Sequence, residues 1–275
     1  MRVLSSDGVE VAVHDLGGTG LSLLISHATG FHGRCYIPVA EALADRYHSV
    51  AFDYRGHGDT PHPDSAVDWN GYGDDAEAMA TVLDAPIVAF GHSMGGACLL
   101  MAAHRNPELF RALVVFEPIV FPPTGIRPNG EPSPLSVGAR RRRSSFPSYE
   151  AAIANYAAKP PLGAFTPAAL DAYVRYGFAP GPDGEVHLKC RPDTEAATFE
   201  TGGLHATWDA LAEITTPVLV ISGAPAPMQP SSIAIDIASR LPAGTYLERP
   251  DLDHFGPMVR PDAVAELIAD YLADH

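Results

Sequence analysis

A serine set between glycines, Gly91-His92-Ser93-Met94-Gly95-Gly96, is the segment of this 275-residue chain best suited to covalent chemistry. An apolar run, residues 87–90, leads into it, and an Ala-rich stretch of helix length, residues 97–105, follows. On a sharp strand-to-helix turn a serine hydroxyl is pushed clear of the backbone. Such a turn is crowded, which explains glycine two residues before and two after. The helix that follows points its free N–H groups and positive dipole end at the serine, where negative charge develops in acyl transfer. The hydroxyl is a poor nucleophile at neutral pH, so it needs an adjacent base, and the base needs an orienting acid. The competing interpretation is a Gly-rich turn whose serine only caps the helix. The bare Gly-x-Ser-x-Gly pattern is weak, and the flanking strand and helix are what sharpen it.

The elements that must position this serine read as alternating strands and helices. Short, continuously apolar runs at residues 21–26, 50–53, 86–90, 112–116 and 218–222 fit strands buried on both faces. Residues 9–14 alternate and fit an antiparallel edge with residues 3–5. Helix-length stretches lie at 37–46, 74–83, 94–105, 233–239 and 262–272. The alternation predicts an α/β doubly wound sheet. Residues 121–205 break the rhythm: Pro- and Gly-rich at first, then helical at 149–158 and 167–176, with no buried-strand pattern. Long structureless loops are rare in compact domains, so this segment is expected to be a mostly helical insertion.

With 46% hydrophobic residues the chain can bury one substantial core, and 19% charged residues argue against wholesale disorder. A net charge of −15 argues against nucleic acid, which needs a basic face. No apolar run approaches the ~20 residues that span a bilayer, and residues 1–10 lack a signal-peptide layout. Cys35, Cys98 and Cys190 are odd in number and widely spaced, which predicts free thiols and a cytoplasmic location. No metal motif or phosphate loop is visible; His57 and His62 sit in a Pro- and Gly-containing turn, poor support for zinc. No cofactor is expected, and the chain is read as a monomer or homodimer acting on a small molecule.

Together these segments resemble the α/β-hydrolase superfamily, in its cap-bearing esterase, lactonase and C–C hydrolase branch. Gly91–Gly96 is similar to that family's nucleophile elbow. Ser26-His27-Ala28-Thr29-Gly30-Phe31 resembles its oxyanion loop, with Ala28 in place of the usual glycine. Asp53-Tyr54-Arg55-Gly56-His57-Gly58 resembles its turn after the following strand, and Asp253-His254-Phe255 stands where the family keeps its histidine. The resemblance implies a mostly parallel eight-stranded sheet flanked by helices, with a core of residues 1–120 and 206–275 and a mainly helical cap of residues 121–205 inserted after the strand ending near Glu117.

The fold's chain order is Ser, acid, His. Of twelve histidines, His254 follows the last expected strand, residues 246–248, and is the expected base; His205 is weaker and His275 lies at the terminus. His27, His92 and His57 are expected to brace loops. Here the chain departs from the family pattern. The acid usually follows the strand at 218–222, but residues 223–230 carry no carboxylate, and Gln229 cannot balance an imidazolium. Glu117, at the end of the strand after the nucleophile helix, is the expected acid, as in some relatives; Asp251 and Asp253 are the alternatives, and Glu117 could instead anchor the cap. The N–H groups of Met94 and, by resemblance, Thr29 are expected to form the oxyanion hole, with Gly30 letting the loop bend closely.

Phe31, Ile119, Phe121, Trp208, Met228 and Phe255 neighbour these positions in sequence and are the expected substrate contacts. The cap aromatics, including Phe165, Tyr173 and Tyr176, divide between the cap's own core and a pocket roof. Arg140–Arg143, the one dense basic run, is read as a solvated helix face paired to acids. The resulting expectation is a serine hydrolase cleaving an ester or lactone of an apolar or aromatic small molecule. C–C bond hydrolysis of a diketone-type substrate and a slow-turnover ligand receptor are the alternatives.

Overall fold

The computed structural model describes residues 1–63, 66–123 and 132–275. Strands β1 (Arg2–Leu4), β2 (Glu10–Gly18) and β3 (Leu21–Ser26) precede helix α1 (Ile37–Leu43). Then come β4 (Tyr47–Asp53), α2 (Trp69–Thr81), β5 (Ile87–His92), α3 (Met94–Arg105) and β6 (Phe110–Phe116). The inserted segment holds α4 (Pro134–Arg140), β7 (Ser145–Phe146), α5 (Tyr149–Ala157), α6 (Pro167–Gly177), β8 (Phe178–Pro180), β9 (Val186–Leu188) and α7 (Pro192–Thr201). The chain closes with α8 (Thr207–Ala210), β10 (Val218–Ser222), α9 (Ala234–Arg240), β11 (Gly244–Glu248), α10 (Gly256–Val259) and α11 (Pro261–Leu272).

Eight strands form one sheet in the order β1-β2-β4-β3-β5-β6-β10-β11. β1 and β4 pair antiparallel with β2, and the remaining pairs run parallel. The parallel strands are apolar on both faces because helices cover both. Leu24, Ala89, Leu113 and Val220 pack toward α2, α3 and α9, while Ile25, Phe90, Val114 and Ile221 pack toward α1 and α11. Burying a side chain such as Phe90 or Val114 contributes roughly 1.5–3 kcal/mol, so the central strands stabilise the frame that holds the loops at their ends. Cys35, Cys98 and Cys190 are free and buried. Among the described residues no helix is long and apolar enough to cross a membrane.

The inserted segment differs from the mostly helical expectation in one respect. Beside its helices it carries a three-stranded antiparallel sheet, β7-β9-β8. These strands are two or three residues long, too short for any two-residue period to show in the sequence. Residues 124–131 of the expected insertion lie outside the described residues.

Candidate active site

The carboxyl ends of β3, β5, β6 and the loop after β11 converge at one edge of the sheet, where open α/β sheets carry their ligands. Ser93 follows β5 with φ 56° and ψ −116°, a left-handed conformation that serine rarely adopts, and directly precedes α3. Its N–H donates to the Phe116 carbonyl, and its own carbonyl accepts from Ile119 N–H, so the strained turn is fixed by the neighbouring strand's exit. The flanking glycines are required by close approach. A Cβ on Gly91 would lie 2.7 Å from Gly96 Cα, and one on Gly95 would run into the Ser26 carbonyl oxygen. Gly95→Ala should therefore force β3 and α3 apart and cost about 1–3 kcal/mol. A thermal melt should show this as a loss of about 2–4 °C per kcal/mol, and an unchanged melting temperature would refute the packing argument.

His254 Nε2 lies 3.2 Å from Ser93 Oγ, and His254 Nδ1 lies 2.6 Å from Glu117 Oε2. Glu117 is buried, sits at φ 45°, and accepts from the Gly223 N–H through Oε1 at 2.9 Å. Both of its oxygens are thus engaged, one by the imidazole and one by the loop on which the sequence offered no carboxylate. Asp251 and Asp253 are elsewhere. Exposed Asp251 pairs with Arg249, and Asp253 accepts from the Phe255 N–H. A carboxylate holding Nδ1–H leaves Nε2 free to accept the serine proton, the arrangement needed for nucleophilic attack.

Met94 opens α3 fully buried, and Thr29 sits buried on the loop after β3. That loop is held by His27, whose Nε2 accepts from the Tyr54 N–H at 3.0 Å while Nδ1–H donates to the Ala28 carbonyl at 2.8 Å. Burial lowers the His27 pKa to about 3, so it stays neutral in this double role. The turn after β4 is tied in the same way. Asp53 accepts from His14 and from the Gly33 and Asp59 N–H groups, and Arg55 makes a two-point bridge to buried Asp75. Among the described residues His14, Asp53 and Asp59 are close enough to share a cation, but Lys189 lies 2.6 Å from Asp59 and already balances that charge.

The expected substrate contacts separate into groups. Phe31 and Phe255 stack 6.3 Å apart, with Phe31 edge-on to His92 and Phe255 edge-on to His254. Ile119 and Phe121 are half-buried on the segment leaving β6. Two expectations fail. Met228 is 85% exposed, because the Pro-rich loop after β10 folds back on itself, Gln229 N–H to Ala226 carbonyl, and turns outward. Trp208 is spent in the core beside α3, with the Arg240 guanidinium 4.3 Å from its ring centroid. In their place the insertion brings Phe165 within 6.0 Å of Phe31 and 5.7 Å of Phe255, and Tyr173 within 5.3 Å of Phe31.

The basic run also divides. Arg140 pairs with Glu200 near the surface, as a solvated face would. Arg142 instead turns inward to Glu195 at 2.6 Å and to the hydroxyls of Tyr156 and Tyr173. Glu195 is itself buried against the loop after β3, where a Cβ on Gly30 would meet its carboxylate at 2.5 Å. No local signal marked Arg142 apart from its neighbours, since its partners lie 14, 31 and 53 residues away.

A mostly parallel eight-stranded sheet with a serine elbow, a late histidine and helices on both faces defines the α/β-hydrolase fold. The family model described as "Alpha/beta hydrolase family" matches residues 23–267, and the chain belongs to that family. It is similar to the 2-(acetamidomethylene)succinate hydrolase of Mesorhizobium japonicum, 27% identical over 262 residues, 93% of this chain and 89% of the relative. Among solved structures, E-2-(acetamidomethylene)succinate hydrolase superposes with a TM-score of 0.78 at 23% identity, covering 99% of this chain and 98% of the other. The enol-lactonase from Burkholderia xenovorans LB400 superposes with a TM-score of 0.72 at 20% identity, covering 99% and 100%.

Proposed function

We propose that the protein is a serine hydrolase that cleaves an ester or lactone bond of a small, largely apolar substrate through an acyl-serine intermediate. The observation that carries this is the hydrogen-bonded chain Ser93–His254–Glu117, at 3.2 and 2.6 Å. His254 Nε2 takes the Ser93 proton as Oγ adds to the carbonyl carbon. The oxygen that gains the charge is received by the Met94 and Thr29 N–H groups. His254 then returns the proton to the departing alkoxide, and the C–O bond breaks. Water, deprotonated by the same imidazole, releases the acid and restores the serine. Phe31, Phe165 and Phe255 supply an apolar surround for the acyl or alcohol portion.

The charged pair Arg142–Glu195 near Gly30 adds a polar end to that surround, and the first relative above is named for a succinate-derived substrate. A test panel should therefore contain chromogenic acyl esters and lactones with and without a free carboxylate, together with a vinylogous diketone. Wild-type protein should turn over an ester or lactone and react with a fluorophosphonate at Ser93, and Ser93→Ala should do neither. Turnover of the diketone alone would transfer the same residues to C–C bond hydrolysis. Fluorophosphonate labelling with a burst but no turnover on the panel would make the protein a receptor.

A further inference from the structure

We propose that His92 and Tyr36 are positioning residues, a two-side-chain relay that holds the backbone of His254 and the oxyanion-type loop in one register. The proposal rests on the serine-hydrolase reading for its catalytic consequences, and on geometry alone for the relay itself.

His92 precedes the nucleophile, but its ring points away from the reaction. His92 Nε2 lies 2.7 Å from the His254 carbonyl oxygen, and Nδ1 lies 2.7 Å from the Tyr36 hydroxyl. The same hydroxyl lies 3.2 Å from the Ala28 backbone nitrogen. These contacts permit one arrangement of protons. A carbonyl only accepts, so Nε2 must carry the imidazole proton. A neutral imidazole then has Nδ1 as an acceptor, so Tyr36 O–H must donate to it. The phenol oxygen, its proton committed, accepts from Ala28 N–H. The chain reads Ala28 N–H to Tyr36 O–H to His92, and His92 Nε2–H to the His254 carbonyl, with every donor and acceptor used once.

The surroundings keep this order in place. Both rings are fully buried, packed edge-on to one another and to Phe90 and Phe116. Burial drives the His92 pKa well below the ordinary histidine value and the Tyr36 pKa well above that of phenol, so neither side chain gains or loses a proton near neutrality. A charged His92 would carry a second N–H and reverse the Tyr36 contact, leaving the phenol proton without this acceptor.

What the relay connects matters more than its own stability. At one end is the loop of the general base, whose ring is oriented by Glu117 but whose main chain is held by His92. At the other end is Ala28, the residue before Thr29. Proton transfer and oxyanion binding both depend on placement to a fraction of an ångström, and a misplacement of about 1 Å costs on the order of 10²-fold in rate. The relay spans 64 residues of chain separation from Ala28 to His92 and a further 162 to His254, so no single loop could set this register.

Three variants dissect it, with turnover expressed per active site titrated by a fluorophosphonate. His92→Gln places an amide N–H near the Nε2 position and keeps the bond to the His254 carbonyl. His92→Asn places its amide near Nδ1 and loses that bond. Tyr36→Phe removes the hydroxyl and orphans the Ala28 N–H. Expected results are a fall in kcat of about 10–100-fold for His92→Asn and Tyr36→Phe with KM within about threefold, and recovery to within about fivefold of wild type for His92→Gln. Unchanged kcat per titrated site in His92→Asn and Tyr36→Phe would overturn the proposal. So would a loss confined to the titratable fraction and melting temperature, or a His92→Gln as impaired as His92→Asn. Nitrogen–proton correlation spectra of the wild-type imidazoles provide a readout independent of turnover. They should show His92 protonated at Nε2 alone near neutral pH, and the opposite tautomer refutes the relay. If wild type neither labels at Ser93 nor turns over substrate, the hydrolase reading fails, while these spectra still decide whether the relay exists.

Discussion

Glu117→Gln is expected to lower kcat by about 10³–10⁴-fold while the protein remains folded. Both oxygens of this side chain are in use. One accepts from His254 Nδ1 and the other from the Gly223 N–H, so both must be acceptors at once. An amide has one acceptor. If its oxygen faces Gly223, the NH2 group faces Nδ1, and the imidazole can keep the contact only by moving its proton to Nε2. That tautomer cannot take a proton from Ser93. If the amide flips, the NH2 group opposes the Gly223 N–H, and the loop after β10 must move. Either orientation also removes the negative charge that would balance the imidazolium in the transition state. Asp251→Asn and Asp253→Asn should stay within about twofold of wild type, because exposed surface pairs contribute little and neither carboxylate reaches the ring. Steady-state kinetics with melting temperatures for the three variants decides the matter. Near-full activity in Glu117→Gln with a collapse in Asp251→Asn would assign the acid elsewhere.

What the sequence revealed, and what it hid, follows from how local each feature is. The elbow was legible because its requirements are local: a glycine on each side of Ser93, an apolar strand before it and an Ala-rich helix after it. The main strands were legible because burial on both faces leaves continuous apolar runs, although β2 and α2 extend several residues past their expected limits. The approach of Glu117 to His254 could be expected from one negative fact, the absence of any carboxylate in residues 223–230, joined to the resemblance. Met228 shows where proximity in sequence misleads. A residue can follow the right strand and still lie outside the site, since the direction of the loop is set by its own turns. Phe165 and Tyr173 could be named among the cap aromatics but not assigned to core or pocket, and Arg142 and Glu195 could not be singled out, for the opposite reason. Each lies in an insertion whose placement over the sheet depends on packing between distant segments, and a helix-spaced aromatic reads the same whether it faces a core or a ligand. His92 is expected from the sequence to brace a loop, and its contacts are of that kind, but its particular partners, Tyr36 among them, are set by tertiary contacts that no local pattern names.

The second large effect is on stability, which should fall steeply between pH 6.5 and pH 5, before carboxylates titrate. His27, His32, His57 and His205 are buried with pKa values lowered to about 3, 4, 4 and 4, chiefly because burial disfavours the charged ring, and His92 is lowered well below its ordinary value for the same reason. In the unfolded chain each titrates near ~6.5. Because the folded values lie below the unfolded one, the unfolded chain binds more protons throughout this window, and acid favours unfolding. The contribution is complete above pH ~6.5, is lost as pH falls, and levels off only near the folded values. Each histidine loses about 1.4 kcal/mol per pH unit, so about 2 kcal/mol by pH 5. Five such groups amount to about 10 kcal/mol as an upper bound, which is comparable with the ~5–15 kcal/mol that holds a typical domain together. Asp53 does not oppose the trend. Burial raises its carboxyl, but the His14 hydrogen bond and, once they are protonated, the nearby imidazoles outweigh this and hold it below the usual range, so its share is lost only at still lower pH. Calorimetry of dilute protein should show a melting temperature at least about 10 °C lower at pH 5.0 than at pH 7.5. Potentiometric measurement of unfolding at pH 5.5 should record an uptake of several protons. A melting temperature flat across that range, with no proton uptake, would mean that these rings are already charged when folded, and the neutral tautomers assigned to His27 and His92 would fall with it.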